Sequence, residues 1–274
     1  MTENREYKSG VFSMLMEHKE YALQVYNALN GSHYDDAEQV EIVSLDKGIS
    51  LSIRNDCAFI VDMSLNIYEH QSTYNPNMPL RALIYFVAYI KNMLKRRDVF
   101  SPRMIRIPTP HFAVFYNGAA NRPDRETIKL SMAYEKPTDD PELELICTIY
   151  NINPDKDQRF LKNCPVLDEY MIFVGCVRRL ETEGEDNPIE RAIDYCIDNH
   201  ILEEFLRENR AEVLNAMTID MTFERREELI REEEQKEARD LIEKERKRAN
   251  DAEKRAENAE KQLAELKEKM GIGK

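Results

Sequence analysis

Asn55-Asp56-Cys57-Ala58-Phe59-Ile60-Val61-Asp62, Met63-Ser64-Leu65 and Asn66-Ile67-Tyr68-Glu69-His70-Gln71-Ser72 read as two strands joined by a tight turn near Met63 to Leu65. Side chains on a strand alternate between faces, so Glu69 and Gln71 share one face and His70 points to the other. Antiparallel pairing about that turn brings Asp56 opposite Gln71 or within a step of it. Asp56 and Glu69 then become direct or diagonal neighbours on one face. Two carboxylates close together in an apolar hairpin are costly unless something positive sits between them. Oxygen ligands of this kind point to Mg²⁺.

The order of elements around the hairpin follows from periodicity. Val11 to Leu29 carries apolar residues at helical spacing, and Gly31 supplies its stop. Val40 to Leu45 reads as a strand, and Ile49 to Ile53 alternates with period two. After the hairpin, Thr73 to Met78 is a loop and Pro79 suits a first helical position. Leu80 to Lys95 is an amphipathic helix. His111 to Tyr116, closed by Asn117-Gly118, is a continuous apolar run of the kind buried on both faces and paired in parallel after a helical crossover. Leu143 to Ile152 adds a further strand. Helix, strands, helix, strand is the order of an α/β layer structure with a mixed central sheet flanked by helices.

Beyond residue 155 strands fade. Phe160 to Asn163, Leu167 to Leu180, Pro188 to Asn199 and Leu202 to Ala216 read as helices packed as an appendage. Phe223 to Lys269 contains no Gly or Pro. Ala249, Ala252, Ala256, Ala259, Leu263, Leu266 and Met270 alternate three and four apart, a heptad seam in which four of the seven positions are alanine. Two readings stand: a solvated helix laced with ion pairs, or homo-oligomerisation through a coiled coil. The expected divisions are 8–155, 156–222 and 223–270.

Of the 274 residues 42% are hydrophobic, enough for a buried core, and 33% are charged. The net charge of −13 is uneven: residues 1–120 hold 13 acidic and 12 basic side chains, leaving −12 for the remainder. A grip on nucleic acid must therefore be a local patch. One candidate is Lys95-Arg96-Arg97 with Arg103 and Arg106, which reads either as phosphate contact or as a solvated helix end. Five cysteines without a Cys-x-x-Cys pair argue against a zinc site or a disulfide framework, and fit reduced thiols of a cytoplasmic protein. The polar N-terminus shows no signal peptide, and Ala82 to Ile90 is too short to span a bilayer, so no membrane partner is expected. With eight glycines no phosphate-binding loop stands out, and the five histidines form no nucleophilic triad. Nucleotide hydrolysis and acyl transfer are poorly supported.

The run Tyr68-Glu69-His70-Gln71-Ser72-Thr73-Tyr74-Asn75-Pro76-Asn77-Met78-Pro79-Leu80-Arg81, with Phe115-Tyr116-Asn117-Gly118 and Tyr150-Asn151-Ile152-Asn153, resembles the recombination-promoting nuclease and putative transposase family. The similarity covers about residues 8–220. That family belongs to the PD-(D/E)XK nucleases, so the resemblance implies a restriction-endonuclease-like core, DNA as partner and Mg²⁺ (or Mn²⁺) as cofactor. It implies metal ligation by Asp56, Glu69 and the backbone carbonyl of His70. Gln71 takes the place of the superfamily lysine, to orient or polarise the attacking water. Glutamine is neither a cation nor a general base, so more of the activation falls to the ion. Relatives often carry an acid before the first helix. Here Lys8-Ser9-Gly10 stands there, so an auxiliary ligand is absent or comes from Glu17 or Glu20. Asp62 reads as a turn residue. Arg81 is placed to hold either a phosphate or the Glu69 carboxylate. A nuclease fold that binds DNA or a partner without cutting, or a scaffold working through its C-terminal helix, would use the same sequence.

Overall fold

The computed structural model describes residues 10–43, 45, 57–95, 97, 99–154, 156, 163–222, 229–230, 236, 238–239 and 241–250. It divides into two compact units, residues 1–222 and 223–274. In the first unit two helices, α1 (Gly10–Met16) and α2 (Lys19–Asn30), lead into strands β1 (Glu41–Ile42), β2 (Cys57–Val61) and β3 (Ser64–Gln71). Helix α3 (Met78–Leu94) then crosses to β4 (Thr109–Tyr116), followed by β5 (Arg125–Lys129) and β6 (Ile146–Asn151). Helices α4 (Pro165–Thr182), α5 (Pro188–Asp198) and α6 (Glu203–Glu208) follow, and residues 210–222 are again helical.

The six strands form one mixed sheet in the order β1-β2-β3-β4-β6-β5. β3 pairs antiparallel with β2 and parallel with β4, which is parallel to β6 in turn. The parallel step from β3 to β4 needs a crossover, and α3 supplies it. Glu69 thus lies on an interior strand with neighbours on both sides.

Alternation along the strands separates two cores. On one face Phe59, Tyr68 and Phe115 meet α1, α2, α4 and α5 in a single buried cluster. Tyr68 stands edge-on to both Phe59 (5.0 Å) and Phe115 (5.5 Å), a favoured aromatic geometry. On the other face α3 covers two smaller clusters, one around Val114, Cys147 and Ile149 and one around Ala58, Leu65 and Ile67. The helices expected as an appendage therefore share the main core with α1, α2 and the sheet.

Several boundaries differ from the sequence reading. The helix expected over Val11 to Leu29 is two helices. Residues 17 and 18 break it, with His18 extended (φ −82°, ψ 118°). The break falls where the apolar periodicity lapses across Glu17 to Glu20. Gly31 ends α2 in the left-handed conformation (φ 63°), as a glycine C-cap does. The hairpin turn is Asp62-Met63 rather than Met63 to Leu65, with both residues at positive φ (47° and 57°). That two-residue turn matches strand twist. β1 is two residues long instead of six, and the last expected strand is confined to Ile146–Asn151. β5 was not anticipated. It is an edge strand with the charged residues Arg125, Glu126 and Lys129, and Ile128 is its one buried side chain. The helix expected over Leu202 to Ala216 is interrupted at Asn209, whose carbonyl accepts the Val213 N–H. The strand expected at Ile49 to Ile53, most of the short helix expected at Phe160 to Asn163, and the heptad seam from Ala252 onward lie outside the described residues. No described helix is long and apolar enough to cross a membrane.

Candidate active site

Among the described residues Glu69 is the buried charged side chain of the sheet, 3% exposed. It projects toward α3, where Arg81 Nη2 lies 2.6 Å from Oε2. Arg81 sits one turn into α3, and Tyr85 follows four residues later on the same helical face. The Tyr85 hydroxyl accepts from Arg81 Nη2 at 2.9 Å and Nε at 3.2 Å, and itself hydrogen-bonds Glu69. Burial, and then the Glu69 charge, raise the Tyr85 pKa. From β6 the Cys147 thiol faces the same carboxylate. Burial and that charge push it up to about 12, keeping it protonated. A buried carboxylate without a counter-charge would be very costly, and the Arg81 guanidinium and the Tyr85 hydroxyl beside Glu69 offset that cost. Of the two roles open to Arg81, the structure places it on Glu69.

Gln71 lies two residues on, on the same face and 7% exposed. Its Nε2 donates to the Met78 thioether, a weak acceptor, and its Oε1 accepts the Asn75 N–H at 3.4 Å. Neither partner is strong, so little free energy opposes turning this amide toward another polar group. His70 points to the opposite face. It stacks on Phe12 at 5.4 Å, and its Nε2 lies 3.3 Å from the Tyr170 hydroxyl. Burial lowers its pKa to about 3, and the Arg178 charge adds to the effect, so the imidazole is neutral.

The ends of β3, β4 and β6 form one rim. Gln71 O accepts the Asn117 N–H and Tyr116 O accepts the Ile152 N–H. Asn151 Nδ2 donates to Arg122 O, and Asn153 Nδ2 to Gly118 O. Gly118 is required by close approach: a Cβ there would lie 1.9 Å from Ser72 O. Arg122 stacks over the Tyr74 ring at 3.5 Å and grips Glu126 with two nitrogens. The Phe-Tyr-Asn-Gly and Tyr-Asn-Ile-Asn runs therefore tie the loop after Gln71 to the sheet. Crevices at the carboxyl ends of parallel strands are where α/β proteins tend to bind ligands.

Of the residues singled out from sequence, Glu69, Gln71 and Arg81 come together on the α3 face. Asp56 lies outside the described residues; the described β2–β3 pairing ends at Cys57 opposite Tyr68, one step short of Glu69. Glu17 and Glu20 belong to the α1–α2 layer, and the Met16 carbonyl just before Glu17 accepts from the thiol of Cys57, the residue that follows Asp56, at 3.7 Å. Asp62 is in the turn and accepts from the Tyr34 hydroxyl at 2.9 Å. Sequence reading missed Tyr85 and Cys147. The signal for Tyr85 was its spacing four residues after Arg81. For Cys147 it was alternation on a strand whose register was not yet known.

Among the described residues no three His, Cys, Asp or Glu side chains gather as a metal site. The donors on the α3 face are carboxylate and amide oxygens, the hard type that suits Mg²⁺. Their charge is another matter: Glu69 and Arg81 together sum to zero, so a dication fits only with a second carboxylate, the place the sequence reading gives to Asp56. No protein-family model, curated protein or solved structure matches the chain. What stands is an α/β protein with a mixed six-stranded sheet and a buried Glu–Arg–Tyr cluster on an interior strand.

Proposed function

We propose that this chain is a metal-dependent DNA endonuclease of the recombination-promoting, transposase-like kind, with a PD-(D/E)XK core. The observation that carries the reading is Glu69, a carboxylate buried on an interior strand with Gln71 beside it on the same face. The run from Tyr68 to Arg81 supports it. Glu69, Asp56 and the His70 carbonyl would hold Mg²⁺ or Mn²⁺. The ion, when bound, would supply Lewis acidity toward water and the phosphodiester. The chain's own groups do the rest. Glu69 is fixed in direction by Arg81 and Tyr85 before any ligand arrives, which removes the need to order it later. Gln71 turns its amide toward the attacking water or a phosphoryl oxygen, exchanging a weak thioether acceptor for a stronger one. The reading requires Asp56 to continue the β2–β3 register by one step, opposite Glu69.

A second reading is favoured by the Glu69–Arg81 ion pair: a nuclease fold whose carboxylate is already neutralised, and which binds DNA or a partner without cutting. Plasmid nicking separates the two. Wild type should nick supercoiled DNA with Mg²⁺ and not with EDTA, and both Asp56→Ala and Glu69→Gln should abolish it. Cleavage by wild type matched by either variant would remove the proposed site; no cleavage by any, with DNA still bound, would leave the second reading.

A further inference from the structure

The connector between α3 and β4 departs from the charge of the rest of the chain. Residues 95–108 contain five Lys or Arg and one acid, within a protein of net −13. Arg97, Arg103 and Arg106 are all exposed, and they line one groove with Ser101, Met104 and Ile105. Arg97 Nη1 donates to Arg106 O at 3.3 Å, which draws the two ends of the connector together. Among the described residues none of these three guanidinium groups forms an ion pair with a carboxylate. Beside them stand Phe100, 93% exposed, and Met104, 83% exposed. A folded chain leaves few side chains of that size almost wholly in water, and two of them among three guanidinium groups mark a binding surface.

The connector lies at the end of the sheet opposite the rim of Gln71 and Asn117. The Thr109 N–H donates to Met63 O, so the end of the connector lies at the hairpin-turn end of β3. From Ser64 to Glu69 is five residues of strand, about 17 Å.

We propose that the α3–β4 connector is a nucleic-acid clamp. Arg97, Arg103 and Arg106 take successive phosphates of a single-stranded or opened segment, and Phe100 stacks on a base with Met104 beside it. Arginine rather than lysine suits the planar grip on phosphate, and exposed aromatic and apolar groups between the cations suit bases freed from pairing. The inference rests on the endonuclease reading of Glu69, and it extends that reading to the form of the substrate.

The test is fluorescence anisotropy of a labelled oligo-dT strand of 20 nucleotides in EDTA, with the full chain, over a range of salt. Three lost phosphate contacts should lower the salt slope by about two units in Arg97→Ala/Arg103→Ala/Arg106→Ala, and weaken binding roughly fiftyfold at 0.15 M salt. Phe100→Ala should cost about fivefold or more with the slope unchanged. Arg103→Glu alone gives a smaller loss in the same direction and guards against misfolding of the triple variant. An oligonucleotide bound by wild type and triple variant with equal slope, or not bound by wild type, overturns the clamp. So does loss of binding to phosphatidylserine vesicles with oligonucleotide affinity kept, which would make the patch a membrane contact. Plasmid nicking keeps the two readings apart: a wild type that binds the oligonucleotide with the expected slope, lost in the arginine variants, but does not nick keeps the clamp and removes the endonuclease reading.

Discussion

At the residue scale the buried charges make the sharpest predictions. Arg81→Ala leaves Glu69 in the core without its cation, which should destabilise the protein by about 3 kcal/mol or more. Removing both charges in Arg81→Met/Glu69→Gln should recover much of that loss in urea unfolding. Equal loss in single and double variants would show that packing, not charge, is what Arg81 contributes. His70 gives a pH signature. Its pKa is about 3 when folded, against 6.5 for the free side chain. The unfolded chain therefore binds the extra proton first as pH falls. This contribution is fully present above about pH 6.5 and is lost progressively down to about pH 3. Each pH unit in that window changes stability by about 1.4 kcal/mol. Between pH 6.5 and 4.5 wild type should lose about 2.5 kcal/mol more than His70→Gln. Parallel acid limbs would mean that His70 is not held neutral. The direction of His70, away from Glu69 and Gln71, was legible from alternation alone, because period two needs no tertiary information. What it packs against was not: Phe12 and Tyr170 come from helices 58 residues before and 100 residues after it.

At the scale of elements, the hairpin, α3 and β4 were readable because each carries a strong period and a marked boundary: Pro79 in the first turn of the helix, Asn117-Gly118 after the strand. β5 was not, because a charged edge strand with one buried side chain has no apolar pattern to detect. Its strand state comes from pairing with β6, a contact between distant residues. The turn shows the same limit. Asp62 and Met63 both adopt positive φ, yet neither is glycine, so composition pointed to the wrong centre. Left-handed backbone costs a residue with a Cβ about 1 kcal/mol, and Met63 is 78% exposed with little packing to lose. Met63→Gly should therefore stabilise by roughly 0.5–1 kcal/mol in urea unfolding. Gly118 should behave in the opposite way. A Cβ there meets the Ser72 carbonyl, backbone that has no flexible end to move aside. Gly118→Ala should shift the loop after Gln71 and destabilise by about 2 kcal/mol or more. A variant as stable as wild type would mean that the rim relaxes freely.

At the scale of the whole molecule, the division falls at residue 222 and not near 155. Helix α4 buries Leu167, Phe173 and Val177 in the same cluster as Phe12 and Phe115, so without the later helices that face of the sheet keeps only the cover of α1 and α2. A chain ending near residue 155 would expose that face and should not fold. Composition changes sharply at Phe223, where the second compact unit begins, whereas helical periodicity does not say what a helix packs on, so the packing of α4 and α5 into the core was not legible. Residues 241–250 are helical and exposed throughout, with ion pairs Lys247–Glu243 and Arg248–Glu245 along the surface. Such pairs contribute only tenths of a kcal/mol each to that helix. If the alanine-rich seam joins copies, light scattering should find the full chain at twice or more the mass of one copy and the shortened chain at the mass of one. An unchanged number of copies after shortening to Thr222 would take assembly away from the tail and move it to the sheet-bearing unit.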